Sequence, residues 1–225
     1  MRPSLWQHYL SHITEIHIES APSEYNPHLY VSLNQGRYQL CTANVVYSFE
    51  DLYDNFGIAF QKIDLDKIPG ERVLILGFGL GSIPYILEKK WHKQYHYTAV
   101  EIDESVLYLA NKYMMPEMES SIETICADAF AFVMQSREKF DLIAMDVFLD
   151  DIIPDDFQND TFLEHLEKLL NPDGVLLYNR LAHTPTDRHA SQRYFSDVFE
   201  PRFPKGGYIE VKGNWMLLND KKVLL

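Results

Sequence analysis

Cysteine is scarce. Cys41 and Cys126 are the two in 225 residues, too few for a disulfide framework, and a reducing cytoplasm is the expected setting. Long apolar runs are missing as well. The longest purely aliphatic stretch, Val73 to Leu76, falls far short of the roughly 20 residues that cross a bilayer, so no membrane partner is expected. No apolar stretch follows Arg2, which leaves no secretory signal to expect. Ten Gly and eleven Pro exclude collagen-like or linker-like composition, and 13% aromatic content opposes disorder. Basic residues are few: 20 Lys and Arg face 33 Asp and Glu, a net charge of −13. That balance disfavours a nucleic-acid partner. It suits a cationic or amine substrate, and it serves solubility equally well.

What is present is 46% hydrophobic residues, enough for one sizeable core with an appendage. The first 66 residues read as a β-rich unit. Ile16 and Ile18 alternate with Glu15, His17 and Glu19, and Leu29–Leu33 and Arg37–Cys41 flank Asn34-Gln35-Gly36 as a hairpin would. A helical pattern then starts at Ser48 and carries Phe49, Leu52, Tyr53, Phe56 and Phe60, with Ser48 as its expected N-cap. Residues 67–225 form the second expected domain. Val73-Leu74-Ile75-Leu76 reads as a strand covered on both faces, and further strands are predicted at Tyr97–Ile102, Ile122–Cys126, Phe140–Met145 and Val175–Tyr178, with helical segments between. Such alternation implies right-handed βαβ units and a parallel sheet. Tyr208–Val211 and Trp215–Leu218 break the rhythm, because they flank Gly213-Asn214 as an antiparallel hairpin.

Chemistry in such sheets gathers at the carboxyl ends of strands. Gly77-Phe78-Gly79-Leu80-Gly81 follows the first of them. Glycines allow a sharp turn and a close backbone approach, and a helix N-terminus supplies free N–H groups; a tight turn needing glycine for packing alone gives the same pattern. Glu101 ends the next strand, 20 residues after Gly81, where a carboxylate can accept bonds from both ribose hydroxyls. A dinucleotide site shares that feature, but its fingerprint wants Gly or Ala where Ser82 stands. Asp128 ends the third strand and is placed to accept from an adenine amino group, as well as to cap the helix after it.

These segments together, with Val100-Glu101-Ile102-Asp103, Ala127-Asp128-Ala129 and Phe140-Asp141-Leu142-Ile143 ending at Asp146, resemble the spermidine synthases. So do Leu40-Cys41-Thr42 and Tyr47-Ser48-Phe49-Glu50-Asp51-Leu52 upstream. The resemblance implies the class I methyltransferase fold: a Rossmann-like, seven-stranded, mostly parallel sheet with an antiparallel last strand. It also implies S-adenosylmethionine, or its decarboxylated form, as the bound donor. The donor pocket would then use Gly77, Phe78, Gly79, Gly81, Glu101, Ile102, Asp128 and Ala129, and Asp146 would be the catalytic base toward a small-molecule acceptor. A homodimer is expected by the same analogy.

Departures from the family pattern accumulate on the acceptor side. Leu80 stands where the family holds the donor's aminopropyl amine with an Asp. Val45-Val46 replace an Asp-Glu pair, Leu40 a Gln and Phe49 a Tyr, and after Asp146 the second family Asp becomes Leu149. The adenosine-side residues are kept. Methyl transfer to a small acceptor, which can be cationic, is the favoured reading; aminopropyl transfer and a non-catalytic nucleoside-binding protein are the alternatives. Asp146, Asp150, Asp151, Asp155, Asp156 and Asp160 crowd fifteen residues that hold no Lys or Arg. Such a loop is either a solvated lid or a mouth that recruits cations. It lacks the glycine and closing Glu of a calcium loop. His183 is a second candidate base. His92 and His96 precede the second strand of the sheet and are expected at the surface, so no metal is expected.

Overall fold

A computed structural model of the chain describes residues 3–42, 45–149 and 152–225. A short helix α1 (Leu5–Leu10) precedes four strands, β1 (Ile16–Ser20), β2 (Tyr30–Asn34), β3 (Arg37–Cys41) and β4 (Val46–Ser48). They form an antiparallel sheet in the order β1-β2-β3-β4. Gln35 and Gly36 take positive φ of 52° and 73°, which is why two residues suffice to join Asn34 to Arg37 with the strand twist preserved.

The helix expected from Ser48 begins later. Glu50–Leu52 is a 3-10 turn, and α2 spans Asp54–Lys62. Two contacts hold the segment back. The Ser48 hydroxyl bonds Ser82 Oγ at 2.7 Å, and the Phe49 N–H donates to the same oxygen at 3.0 Å. Ser48 is therefore the end of β4 and no N-cap. Beyond α2 the chain alternates: β5 (Arg72–Leu76), α3 (Ser82–Lys89), β6 (His96–Glu101), α4 (Glu104–Tyr113), β7 (Ser121–Cys126), α5 (Ala129–Gln135), β8 (Phe140–Met145), α6 (Asp160–Leu169), β9 (Leu170–Leu181) and α7 (Pro185–Tyr194). A π turn over Phe195–Phe199 and a last helical turn, α8 (Glu200–Arg202), lead to β10 (Gly207–Val211) and β11 (Asn214–Leu218).

The seven strands lie in the order β10-β11-β9-β8-β5-β6-β7. Strands β9, β8, β5, β6 and β7 pair in parallel, and β11 inserts antiparallel between β9 and β10. This is the mostly parallel sheet with a reversed last strand that the sequence predicts. The run in β5 serves both faces of the sheet. Val73 and Ile75 pack with one apolar cluster, Leu74 and Leu76 with the other, and all four are fully buried. Each contributes about 1.5–3 kcal/mol by leaving water. The first cluster also takes Val31, Leu33 and Leu40 from the N-terminal sheet and Leu29 just before β2, so the two sheets share this core.

Strand β9 is longer than its apolar run. Asn171-Pro172-Asp173-Gly174 lies within it as an irregularity between the Phe140–Leu170 and Leu142–Val175 pairs, with Asp173 at φ 63°. At the other end β11 pairs with Asn179, Arg180 and Leu181. These residues lie beyond the strand predicted at Val175–Tyr178, yet they belong to it, because a partner that arrives later in the chain extends the ladder.

Candidate functional site

The order of the strands reverses between β5 and β8, so the crevice opens where Gly77 and Asp146 emerge side by side. The Asp146 N–H donates to Leu76 O at 2.8 Å. Gly77 has φ +84°, and a Cβ there would lie 2.3 Å from the Asp146 carbonyl oxygen. Only glycine fits. Gly79 and Gly81 are also left-handed, at +55° and +88°, and Gly81 hands over to α3.

Glu101 organises this loop. Its Oε2 accepts from the N–H groups of Phe78 and Gly79, both at 3.1 Å, and its Oε1 accepts from Asp103 N at 3.2 Å. Burial pushes its carboxyl above the ordinary range, against the pull of those amides. Asp128 caps α5 through Oδ1, which accepts from Ala131 N at 2.8 Å.

Asp146 is held by neutral donors. Asn179 Nδ2 donates to Oδ1 and the Tyr53 hydroxyl to Oδ2, each at 2.8 Å. Asn179 is fixed in turn by Asn214 Nδ2, which donates to its Oδ1 at 2.9 Å. Burial raises the Asp146 carboxyl to about 6, the two hydrogen bonds oppose it, and the nearby Glu101 charge adds to it. The Tyr53 phenol is pushed well up, by burial first and by Asp146 next. A carboxylate so placed can take a proton near neutral pH.

A cavity of about 440 Å³ joins these groups, within the ordinary range for small-molecule sites. Gly77, Phe78, Gly79, Glu101, Ile102, Asp128, Ala129 and Asp146 all line it. Gly81 does not: a Cβ there would meet the Phe78 ring at 2.9 Å. Leu80 is fully buried in the apolar cluster and is absent from the wall. Two loop amides expected to be free for a ligand are taken by Glu101.

Three features of the wall are not legible as site residues in the sequence. Tyr53 sits in an apolar helical pattern, and Asn214 reads as a turn residue. Tyr25 and Asn26 arrive on a loop pinned to the α4 N-cap, where Asn26 Nδ2 donates to Asp103 Oδ2 at 2.7 Å. Asn179 did carry a signal, as a polar residue amid Val175–Leu181.

The acidic loop divides. Asp156 reaches the cavity wall, while Asp155 lies outside it. Asp160 starts α6 and pairs with Arg202 at 2.7 Å. Asp150 and Asp151 lie outside the described residues. His183 is exposed and off the wall. His92 borders a separate depression at the other end of the sheet, and His96 is exposed. Among the described residues no group of three or more His, Cys, Asp or Glu side chains could hold a metal ion. No helix among them is long and apolar enough to cross a membrane.

Comparison with known proteins agrees with this architecture. The family model described as the spermine/spermidine synthase domain matches residues 62–200. A polyamine aminopropyltransferase of Vibrio vulnificus is 28% identical over 141 residues, covering 60% of this chain and 47% of that protein. An eEF1A lysine and N-terminal methyltransferase homolog of Drosophila melanogaster is 26% identical over 151 residues, covering 63% of this chain and 22% of that protein. The matched region thus spans less than half the length of either relative. Among solved structures, spermidine synthase from Thermotoga maritima superposes with a TM-score of 0.66 at 17% identity, over 90% of this chain and 72% of that one. Human methyltransferase-like protein 13, solved in complex with SAH, gives 0.58 at 22% identity, over 71% and 76%. At these identities the superpositions establish the fold.

Proposed function

This chain belongs to the spermine/spermidine synthase domain family, and from that premise we propose that it is an S-adenosylmethionine-dependent transferase that moves a methyl group to a small acceptor. The observation that carries the reading is the convergence of Glu101, Asp128 and Asp146 on one cavity at the switch point of the sheet. Glu101 and Asp128 are the groups for ribose and adenine, with Ile102 and Ala129 as apolar neighbours and the bare backbone of Gly77 and Gly79 as the cradle. Bound there, the sulfonium donor supplies an electrophilic methyl carbon whose bonding pair leaves on sulfur. Asp146 orients the acceptor and takes its proton, so the acceptor's lone pair is free as the new bond forms. The Asn214–Asn179 chain and Tyr53 fix both carboxylate oxygens for that task.

Methyl transfer is favoured over aminopropyl transfer by Leu80. Its side chain is in the core, so the loop offers no carboxylate to an aminopropyl ammonium. Two free cysteines, Cys41 buried and Cys126 exposed, support a cytoplasmic setting.

Calorimetry tests the assignment. Glu101→Gln and Asp128→Asn should each weaken S-adenosylhomocysteine by about 1.5–3 kcal/mol, the worth of a hydrogen bond to a carboxylate. Binding like the parent in both variants removes the pocket assignment. A preference of about tenfold, 1.4 kcal/mol, for decarboxylated over intact S-adenosylmethionine would make the protein an aminopropyltransferase instead.

A further inference from the structure

We infer that the acceptor is an uncharged, largely apolar or aromatic small molecule bearing one O–H or N–H, and that polyamines are excluded; this rests on the transferase reading above. Much of the cavity wall not assigned to the donor is apolar, alongside polar residues such as Asn26, Ser48, Asn55 and Asn214. Leu40, Val45 and Val46 come from the N-terminal sheet, and Phe148, Leu149 and Phe157 from the segment after β8. Val46 and Leu149 remain 45% and 48% exposed, apolar surface on the wall that gains by being covered.

Among the described residues, the carboxylates inside the cavity do not offer a polycation a second anchor. Glu101 lies on the nucleoside side, where its two oxygens also hold three backbone N–H groups. Asp128 caps α5 on the nucleoside side, and Asp156 is exposed at the rim. Among the described carboxylates inside the cavity, Asp146 is the one left for the acceptor, and both its oxygens accept from the neutral Tyr53 and Asn179 groups. A diamine would have to bring a second ammonium against Val45, Val46 and Phe148, with Asp156 at the exposed rim as the remaining described carboxylate of the wall. Burying an unpaired charge in apolar surroundings is strongly unfavourable. A neutral acceptor meets the geometry at both ends: its body covers the apolar wall, and its one polar hydrogen points at Asp146. The proton released on transfer goes to that carboxylate.

The test is calorimetry on the whole chain loaded with S-adenosylhomocysteine, with 2-naphthol as the neutral probe and putrescine and spermidine as the cationic ones. The expected result is 2-naphthol binding at least about tenfold tighter than either amine, and little changed by added salt. Leu149→Asp, at a half-exposed position that the fold tolerates, should weaken 2-naphthol and strengthen putrescine. Either amine binding more tightly than 2-naphthol to the parent protein overturns the inference and leaves the transferase reading intact. Neither class binding also overturns it. Failure to load S-adenosylhomocysteine at all overturns the transferase reading first and takes this inference with it.

Discussion

Asp146→Asn should cut turnover while making the protein more stable, and the gain should appear as the pH rises from about 4.5 to about 6 and persist above that. In the unfolded chain this carboxyl titrates near its ordinary 3.8, and in the folded protein near about 6, with burial the main cause. Between those values the folded state binds more protons than the unfolded one, so stability falls as pH rises through the window. Above it the full cost is present. A gap of about two units, at 1.36 kcal/mol each, comes to about 3 kcal/mol. The new amide can accept from Asn179 with its oxygen and donate to the Tyr53 hydroxyl, which can serve as an acceptor; that rearrangement costs about 1 kcal/mol. The variant should therefore exceed the parent by about 2 kcal/mol at pH 8, a rise in Tm of about 4–8 °C for a chain of this size. At pH 4.5 only about 1 kcal/mol of charge cost remains; the rearrangement cancels it, and the two proteins should melt together. Thermal melts at both pH values decide the matter. A difference of equal size at pH 4.5 and pH 8 would refute the electrostatic account of Asp146. With an acceptor in hand, turnover of the variant should fall by about 10²–10⁴-fold, as expected when a general base is lost.

Gly77→Ala should destabilise the protein by about 2–4 kcal/mol, because the methyl meets the Asp146 carbonyl oxygen and the backbone must hold a left-handed φ; urea unfolding within 0.5 kcal/mol of the parent, about the scatter of neutral surface changes, would count against that steric account. Arg180 is buried, stacks 3.8 Å from the Tyr194 ring centroid, and donates to Gln158 Oε1 at 2.9 Å and to Ser191 Oγ at 3.3 Å, while its Nη1 has no hydrogen-bond partner. Arg180→Met should therefore keep or raise the Tm, since an unpaired buried cation is removed. Hydrogen exchange should quicken over residues 153–158, which Gln158 ties to Arg180 and to Ile153 O. Unchanged exchange would show that Arg180 does not anchor this part of the cavity wall.

Position along the chain explains which placements the sequence can give. The glycine loop, Glu101, Asp128 and Asp146 can be placed at strand ends from sequence, because a strand announces its end by where its apolar run stops, and the fold brings members of all four to one cavity. The helix expected from Ser48 failed for a non-local reason: Ser82, 34 residues later, binds both the Ser48 hydroxyl and the Phe49 amide. Asn179 and Arg180 lie beyond the predicted strand because the strand that pairs with them, β11, comes last in the sequence.

Periodicity and strand-end chemistry are local, so the amino-acid order alone determined the alternating architecture, the two-faced burial of Val73–Leu76 and the strand-end positions of Glu101 and Asp128. Contacts between distant segments are not written in any window of sequence. Tyr53, Asn179 and Asn214 each look like an ordinary core, strand or turn residue. Folding brings them from α2's approach, β9 and β11 onto Asp146, and burial there raises its carboxyl into the range where it can exchange a proton. The same packing carried Leu80 into the core and set Val45, Val46 and Phe148 around the cavity. The tertiary structure thus decided which carboxylate is buried on the cavity wall between neutral donors and what kind of surface surrounds it, because desolvation and contact depend on neighbours in space.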